Sequence, residues 1–269
     1  MKCTWTDARS VFLSDLHLGW RFSDTSLLGS LLEEARPELL YLVGDTFEWI
    51  YRPEVSKKKS VDRFLDDLNS LQDHGTQIFV LPGNHDEVLA DRFHNSGWTI
   101  APYVLHETLS GQRFLVAHGD IFDLQRGRNS CSWKRFGGWM YPKLVRWGTW
   151  LDRIGFQPQG EQSHWCTHWK MLSERAKTHI ENFESFMVEL ANAHECDGVV
   201  CGHIHLPKAK EIGSRFYFNC GDWIEHRSFV YECSHGCLNL VRDASKQPHK
   251  QQSNCSSDSL ITNNWRVAV

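Results

Sequence analysis

The chain has 269 residues, 41% of them apolar, which is enough to bury the core of one globular domain with an insertion, or of two small domains; one domain is favoured. The 29 basic and 33 acidic residues give a formal net charge of −4, so overall charge provides no reason to expect a nucleic-acid ligand. The N-terminal residues lack the apolar core of a signal peptide and no later run reaches membrane-spanning length, so the sequence predicts a cytoplasmic protein.

Five short apolar runs that end at polar clusters predict buried strands, because a strand covered on both faces is apolar along its length. The runs are residues 11–14, 39–43, 78–81, 113–117 and 198–201. Between the first three runs, apolar residues recur at the spacing of an amphipathic helix. They are Leu27, Leu28, Leu31 and Leu32, followed by Val61, Phe64, Leu65 and Leu68. This alternation of strand and helix predicts an α/β layered fold.

The C-terminal part of the sequence returns to a strand pattern. Residues 208–219, 228–234 and 237–241 alternate apolar and polar side chains, and Gly213 and Gly236 stand where hairpin turns are expected. The sheet region is therefore predicted to resume here.

Residues 124–173 interrupt the α/β pattern with six of the twelve tryptophans and little strand signal. The segment contains eight lysines and arginines against two acidic residues, a local charge of +6 in a chain of net −4. We expect a helical insertion with a basic, aromatic surface. The alternative is a tryptophan-rich helical core with a solvated basic face.

The predicted organisation is a core formed by residues 1–123 and 174–242, with the helical insertion at 124–173. From residue 243 the composition turns to Ser, Gln, Asn and Lys, which is too poor in apolar residues to offset the entropy of an ordered chain. We expect residues 243–269 to form a loosely ordered tail.

Nine cysteines are present, an odd number, and none of them form a pair at zinc-knuckle spacing. Cys233 and Cys237 are the closest pair in the sequence. We interpret both as strand residues of a reduced protein.

Each predicted strand ends in a cluster of residue types that bind metal ions. The clusters are Asp15-Leu16-His17, Gly44-Asp45, Gly83-Asn84-His85-Asp86, His118-Gly119-Asp120 and Gly202-His203-Ile204-His205. The carboxyl ends of strands converge on one crevice in open α/β sheets, so we expect these clusters to lie together. Their carboxylate, imidazole and amide groups suit manganese, iron, zinc or cobalt. One such pair alone is more often surface or capping chemistry, but five clusters in fixed order indicate a metal site.

At these residues the sequence resembles the calcineurin-like metallophosphoesterase superfamily. The signature of that superfamily is Asp-x-His, Gly-Asp, Gly-Asn-His-(Asp/Glu), His and Gly-His-x-His at successive strand ends, and all of these elements are present. The resemblance implies an α/β fold arranged as a four-layer α/β/β/α sandwich with a helical lid insertion. It also implies a hydrolase that acts on phosphoric ester or pyrophosphate bonds.

The resemblance further implies two divalent metal ions, with manganese as the first choice and iron, zinc or cobalt as alternatives. One ion would be bound by Asp15, His17 and His205, and the second by Asn84, His118 and His203. Asp45 would bridge the two ions. His85 matches the catalytic histidine of the superfamily that is not a metal ligand, with Asp86 as its orienting partner.

A closer resemblance extends over residues 9–242 to the UDP-2,3-diacylglucosamine pyrophosphatase family of lipid A synthesis. It rests on the motifs Ser14-Asp15-Leu16-His17-Leu18-Gly19, Leu42-Val43-Gly44-Asp45, His118-Gly119-Asp120 with Asp123, and Gly202-His203-Ile204-His205, together with the insertion. In that family the insertion is a lid that receives acyl chains. The best-characterised members carry arginine after the asparagine, whereas His85 in this chain is typical of a histidine-bearing branch. Asp222 is interpreted as a turn residue, with a supporting contact to the site as the alternative.

The substrate that this resemblance implies is UDP-2,3-diacylglucosamine, cleaved to UMP and 2,3-diacylglucosamine 1-phosphate. Basic residues in and beside the insertion are candidate phosphate contacts: Arg126, Arg128, Lys170, Arg175 and Lys177. The aromatic, basic insertion also suggests peripheral contact with the inner membrane. Two alternatives are a soluble phosphodiesterase or nucleotidase with a non-lipid substrate, and a non-catalytic scaffold on the same fold.

Overall fold

The computed structural model describes residues 2–20, 23, 26–48, 59–84, 93, 95–125, 174–245 and 253–254. The chain divides into two compact units. The first consists of Met1–Gly119 and Met187–Val269, and the second of Asp120–Phe186.

Helices and strands alternate along the described chain as the apolar pattern predicts. The helices are α1 (Leu28–Ala35), α2 (Lys59–Asp73), α3 (Ile121–Gln125) and α4 (Glu174–Ala193). The strands are β1 (Lys2–Cys3), β2 (Ala8–Leu13), β3 (Leu39–Val43), β4 (Gln77–Leu81), β5 (Thr99–Ile100), β6 (Tyr103–Glu107), β7 (Arg113–Ala117), β8 (Gly198–Cys201), β9 (Lys208–Ile212), β10 (Arg215–Asn219), β11 (Phe229–Cys233), β12 (Leu238–Val241) and β13 (Ser253–Asn254). The five predicted strands are confirmed as β2, β3, β4, β7 and β8, with ends shifted by three residues at most.

Two sheets form the centre of the first unit. The six-stranded sheet has the order β12-β11-β2-β3-β4-β5, and β2 to β5 run parallel to one another. The five-stranded sheet has the order β6-β7-β8-β10-β9, with β7, β8 and β10 parallel. The predicted hairpins are confirmed, since β9 pairs antiparallel with β10 and β11 with β12.

The two sheets share an apolar core. Phe12 and Tyr41 of the six-stranded sheet belong to the same buried cluster as Phe114, Val200 and Phe218 of the five-stranded sheet. Phe12 and Tyr41 stack with ring centroids 4.6 Å apart. The sheets therefore face each other, and the predicted α/β sandwich is confirmed.

The outer face of the six-stranded sheet is covered by α1 and α2. Val11 and Leu42 point into a second buried cluster that contains Leu31 of α1 and Phe64 and Leu68 of α2. In the five-stranded sheet, Leu115 and Val199 alternate with the shared core residues and are also fully buried. The central strands of both sheets are thus covered on both faces and protected from water, whereas Leu105 on the edge strand β6 is 44% exposed.

Within the second unit, Phe122 of α3 packs against Phe183 and Phe186 of α4, with ring centroids 5.4 Å apart in each pair. The predicted insertion at 124–173 lies outside the described residues apart from the last two residues of α3, so the predicted domain boundaries remain a prediction. No helix in the described ranges is long and apolar enough to cross a membrane.

Residues 243–269, predicted as a tail, are described at 243–245 and 253–254. Ser253 and Asn254 form β13, which pairs antiparallel with β1. A two-stranded sheet therefore joins the first residues of the chain to residues 253–254 of the predicted tail.

Candidate metal centre

The loops that follow β2 and β3 run side by side at the carboxyl edge of the six-stranded sheet. The backbone N–H of Asp15 donates to Gly44 O at 3.0 Å, and that of His17 donates to Asp45 O at 2.9 Å. These bonds continue the parallel pairing of β2 and β3 past the ends of the strands. The Asp-x-His motif is thereby held next to the Gly-Asp motif.

Five of the predicted ligand residues have a left-handed backbone. The φ angles are 54° at Asp15, 44° at His17, 49° at Asp45, 71° at His203 and 55° at His205. Residues other than glycine rarely adopt this conformation, and such outliers concentrate at functional sites. Five of the eight described non-glycine residues with a positive φ are thus predicted ligands; the other three are Arg36, Glu195 and Arg227.

A first group of side chains surrounds Asp15. Asp15 Oδ1 lies 3.2 Å from His205 Nε2 and 3.9 Å from His17 Nε2. One potential ligand atom from each of the three residues lies within 4.8 Å of the others. This is the spacing expected of groups that surround a single ion, and the three residues are those predicted for the first metal.

A second group surrounds Asp45. Asp45 Oδ2 lies 3.5 Å from His118 Nε2 and 4.0 Å from His17 Nε2. Potential ligand atoms of Asp15, Asp45 and His118 also lie within 4.8 Å of one another. Asp45 therefore contacts a histidine of each group, which is the position that a bridging carboxylate requires.

His203 and Asn84 lie at the same edge of the fold. The ring of His203 is 5.1 Å from that of His118 between centroids, and its backbone N–H donates to Asp15 Oδ2 at 3.0 Å. Asn84 follows β4, directly after Gly83, which lies against Asp45 and His118. All seven predicted ligand residues are thus described in the structure, and their roles as ligands remain predictions.

The available atoms fit divalent metal ions. Asp15 Oδ1 and Asn84 Oδ1 are buried and accept no hydrogen bond from the residues that the structure describes. A buried oxygen acceptor without a donor is costly unless a cation or water completes it. Carboxylate, amide and imidazole groups together form the set of ligands that manganese, iron, zinc and cobalt accept.

Glu48 orients His17. The Nδ1–H group of His17 donates to Glu48 Oε2 at 2.8 Å, which leaves Nε2 directed to the groups around Asp15 and Asp45. Burial lowers the pKa of His17, but the hydrogen bond to Glu48 and the charge of Asp45 outweigh burial and raise it from 6.5 to about 9. Sequence reasoning missed Glu48, although it stands three residues after Asp45 at the same strand end.

Replacing Glu48 by alanine is expected to weaken metal binding about 10- to 100-fold, because carboxylates that hold a ligand histidine in place contribute about that much to affinity. Glu48→Gln keeps an acceptor for His17 and is expected to fall between the wild type and the alanine variant. Titration of metal-free protein with manganese, followed by calorimetry, measures the change. Glu38→Ala is the matched control, since the Glu38 side chain is 75% exposed. Equal affinities for wild type and Glu48→Ala would remove Glu48 from the site.

His118 is fixed by the backbone around it. Its Nδ1–H group donates to Val43 O at 2.9 Å, so Nε2 is the nitrogen left to face Asp45. A Cβ atom at Gly44, where φ is +80°, would overlap the His118 ring. Glycine at this position therefore permits both the left-handed turn and the close approach of His118 to the backbone.

Replacing Gly44 by alanine is expected to lower the free energy of unfolding by about 2–4 kcal/mol, from backbone strain and overlap with His118, and to reduce metal occupancy. Gly111→Ala is the matched control, because Gly111 has a φ of +82° but no atom near the position of the added methyl group. It is expected to cost only about 1 kcal/mol, the strain of the left-handed backbone alone. Denaturant unfolding and metal analysis measure both; equal costs would contradict the overlap.

Asp222 supports His205 as well as forming a turn. Its Oδ1 accepts backbone N–H groups of Ile224, Glu225 and His226 at 2.9, 2.7 and 3.1 Å. Its Oδ2 lies 3.3 Å from His205 Nδ1 and 3.1 Å from His226 Nδ1. Burial raises the pKa of Asp222, but these two histidines outweigh it and hold the pKa well below its usual range. Both interpretations of this residue therefore hold.

The predicted catalytic and substrate-binding residues fall mainly outside the described part of the chain. His85, Asp86, Arg126, Arg128 and Lys170 are not described. Lys177 is an exposed residue of α4, and Arg175 belongs to the first turn of that helix. Their roles remain predictions.

Comparison with known proteins shows the family. The model of the calcineurin-like phosphoesterase family matches residues 8–207. UDP-2,3-diacylglucosamine hydrolase of Tolumonas auensis is 28% identical over 213 residues, 75% of this chain and 82% of that protein. The protein of the same name from Porphyromonas gingivalis is 26% identical over 246 residues, 83% of this chain and 93% of its own. Among solved structures, that of a novel archaeal phosphodiesterase aligns with 87% of this chain and 98% of the archaeal chain, at 12% sequence identity and a TM-score of 0.44. This likeness is too distant to support the family assignment.

The matched segment spans the strands and loops from β2 to the His203-Ile204-His205 motif, and therefore all seven predicted ligands. None of those ligand positions is substituted, so the sequence offers no support for a non-catalytic scaffold. The chain belongs to the calcineurin-like phosphoesterase family and is a metal-dependent hydrolase of phosphoric ester or pyrophosphate bonds.

Proposed function

We propose that the chain hydrolyses the pyrophosphate bond of UDP-2,3-diacylglucosamine, with UMP and 2,3-diacylglucosamine 1-phosphate as products. The observation that carries the proposal is two adjoining groups of potential ligands at one sheet edge. Asp15 belongs to both groups, and Asp45 contacts a histidine of each. The substrate is suggested by relatives of that name, which are similar to this chain over 75% and 83% of its length.

The ligand assignment proposed for the site is two divalent ions, with manganese first. The first is held by Asp15, His17 and His205, and the second by Asn84, His118 and His203. Asp45 bridges them, in keeping with its 3.5 and 4.0 Å contacts to one histidine of each set. When bound, such ions neutralise charge on the phosphoryl oxygens and lower the pKa of water.

The protein itself supplies the orientation and the dry surroundings of the site. Glu48 Oε2 and Val43 O each accept a hydrogen bond from the Nδ1–H group of one histidine, so Nε2 of His17 and of His118 is the nitrogen that faces the site and would bind a metal ion once it is deprotonated. Asp15 and Asp45 are 0% and 3% exposed, which strengthens their electrostatic interaction with cations. These contacts hold the site in place before substrate arrives, so little reorganisation is needed during the reaction.

Leaving-group chemistry is assigned to His85, with Asp86 holding its ring. A histidine directly after the ligand Asn84 is suited to donate a proton to the departing phosphate oxygen.

The basic, tryptophan-rich insertion at 124–173 is proposed as the lid that receives the acyl chains and contacts the membrane surface, because tryptophan suits that interface and basic residues suit anionic headgroups. Its candidate phosphate contacts are Arg126, Arg128 and Lys170, with Arg175 and Lys177 beside it.

A soluble phosphodiesterase with a non-lipid substrate is the second candidate. The observation in its favour is His85, at the position where the best-characterised lipid A pyrophosphatases have arginine. Such an enzyme would use the same metal ligands, and the insertion would only cap a small pocket.

The deciding experiment incubates the full-length protein and manganese with UDP-2,3-diacylglucosamine, and separately with an aryl phosphodiester such as bis(p-nitrophenyl) phosphate. We expect UMP to be released from the lipid substrate with a kcat/KM at least about 100-fold above that for the aryl ester. The reason is that binding of the uridine and acyl groups, which do not react, would contribute to catalysis. Hydrolysis of the aryl ester with no UMP release would assign the second candidate. The Asp45→Ala protein, prepared in parallel, controls for contaminating hydrolases.

A further inference from the structure

A sulfur-rich cluster lies where β1 meets the hairpin turn between β11 and β12. Cys3, Cys233 and His235 each offer one potential ligand atom, and these atoms lie within 4.8 Å of one another. None of these residues belongs to the phosphoesterase site, whose predicted ligands are all oxygen and nitrogen atoms. The cluster therefore requires a separate explanation.

The turn between β11 and β12 places the thiols of Cys233 and Cys237 side by side. Cys233 N donates to Cys237 O at 3.0 Å, and Gly236 N donates to Cys233 O at 2.9 Å, so a three-residue turn separates two directly opposed cysteines. Side chains of directly opposed residues in an antiparallel pair project from the same face. Consistent with this geometry, the Cys237 thiol hydrogen-bonds that of Cys233.

The N-terminal strand supplies the remaining sulfur. Cys3 lies 230 positions before Cys233 in the sequence, yet its thiol also hydrogen-bonds Cys233. Cys3 Sγ is 3.4 Å from His235 Nδ1, a nitrogen that Ser234 Oγ approaches at the same distance. A tetrahedral zinc ion, with bonds of about 2.3 Å to sulfur and about 2.0 Å to nitrogen, holds those two ligand atoms about 3.5 Å apart.

Burial separates this cluster from ordinary surface cysteines. Cys3, Cys233 and Cys237 are 3%, 0% and 9% exposed, and all three are free thiols rather than disulfides. The exposed His235 lies at the outer side.

We propose that Cys3, Cys233 and His235 bind one structural zinc ion, and that the Cys237 thiol, which hydrogen-bonds Cys233, moves in as its fourth ligand. Three thiolates and one imidazole are a common structural zinc set, and soft sulfur ligands select zinc over the manganese that suits the phosphoesterase site. The ion would attach β1, and with it the pairing of β1 to β13, to the β11–β12 hairpin of the six-stranded sheet. Its role is to stabilise the fold, and it is independent of the reaction and of the substrate proposed above.

Cobalt(II) added to metal-free, reduced full-length protein tests the proposal. Cobalt bound by thiolates gives a charge-transfer absorption in the near ultraviolet, and the oxygen and nitrogen ligands of the phosphoesterase site give none. We expect this band to reach its maximum at one equivalent of cobalt bound to the cluster, and one equivalent of zinc to remove it. Cys3→Ser and Cys233→Ser are expected to lose the band and one equivalent of bound zinc.

Cys196→Ser is the matched control, since Cys196 is also a buried thiol outside any disulfide, and its Sγ donates to the backbone carbonyl of His194. It is expected to keep the band and the full zinc content. Because the wild-type spectrum decides the matter, poor folding of a serine variant does not affect the test. A wild-type protein without the band, a disulfide among the three cysteines, or an unchanged band in Cys3→Ser would each overturn the proposal, whatever the outcome of the phosphoesterase assays.

Discussion

Replacing Asp45 by alanine is expected to deplete both metal ions and to lower turnover by at least about three orders of magnitude. Asp45 Oδ2 lies 3.5 Å from His118 Nε2 and 4.0 Å from His17 Nε2, so its loss would remove a carboxylate from both proposed sets of ligands. Two bound ions would supply several kcal/mol of charge stabilisation, and about 4 kcal/mol corresponds to a factor of about 1,000 in rate. Elemental analysis and kcat/KM with excess manganese measure the two effects.

Asp66→Ala is the control for this variant, because Asp66 is an exposed carboxylate on α2. It is expected to retain wild-type metal content and rate. An Asp45→Ala protein that keeps both metal ions at full occupancy would contradict the bridging role, and one that keeps a single ion would show that Asp45 belongs to one site only.

Replacing His85 by alanine is expected to lower kcat by about two orders of magnitude or more while metal content stays near that of the wild type. A general acid contributes about 100- to 10,000-fold to rate, and the loss of a residue that is not a ligand leaves the ions in place. The comparison with Asp45→Ala separates the chemical step from metal binding. Metal analysis and steady-state kinetics on the same preparations are sufficient.

His74→Ala controls for the removal of an imidazole from the surface, since the His74 side chain is exposed and contacts the carbonyl of Ser70 in α2. Its rate is expected to equal that of the wild type. If His85→Ala also turned over at the wild-type rate, His85 would have no part in the reaction. A parallel loss of metal would instead place His85 among the ligands.

The strands and the candidate site were predictable because both depend on short-range patterns. Apolar runs such as 39–43 define buried strands, and polar motifs such as Gly44-Asp45 directly follow them. The parallel pairing of β2 with β3 then brings successive motifs together without any further information. The order of the motifs along the chain was therefore sufficient to predict which of their residues lie close together.

The residues that sequence reasoning missed are joined by contacts that leave no periodic signal. Glu48 is recognisable as a partner of His17 only when the two loops are seen to pair. The cysteine cluster was overlooked because Cys233 and Cys237 lack the familiar zinc spacing and Cys3 lies at the other end of the chain. Pairing of β1 with β13 is likewise a contact between residues about 250 positions apart in the sequence.

The left-handed backbone at five of the predicted ligands sets a trade-off between stability and catalysis. At about 1 kcal/mol for each residue, the strain sums to about 5 kcal/mol, comparable with the whole net stability of many domains, about 5–15 kcal/mol. Binding of metal ions to these residues would offset this cost. Replacing Asp15, Asp45 or His203 by glycine would relieve the backbone strain at that position and remove a predicted metal ligand at the same time. A protein under no selection for the reaction could therefore gain stability from the substitutions that abolish it.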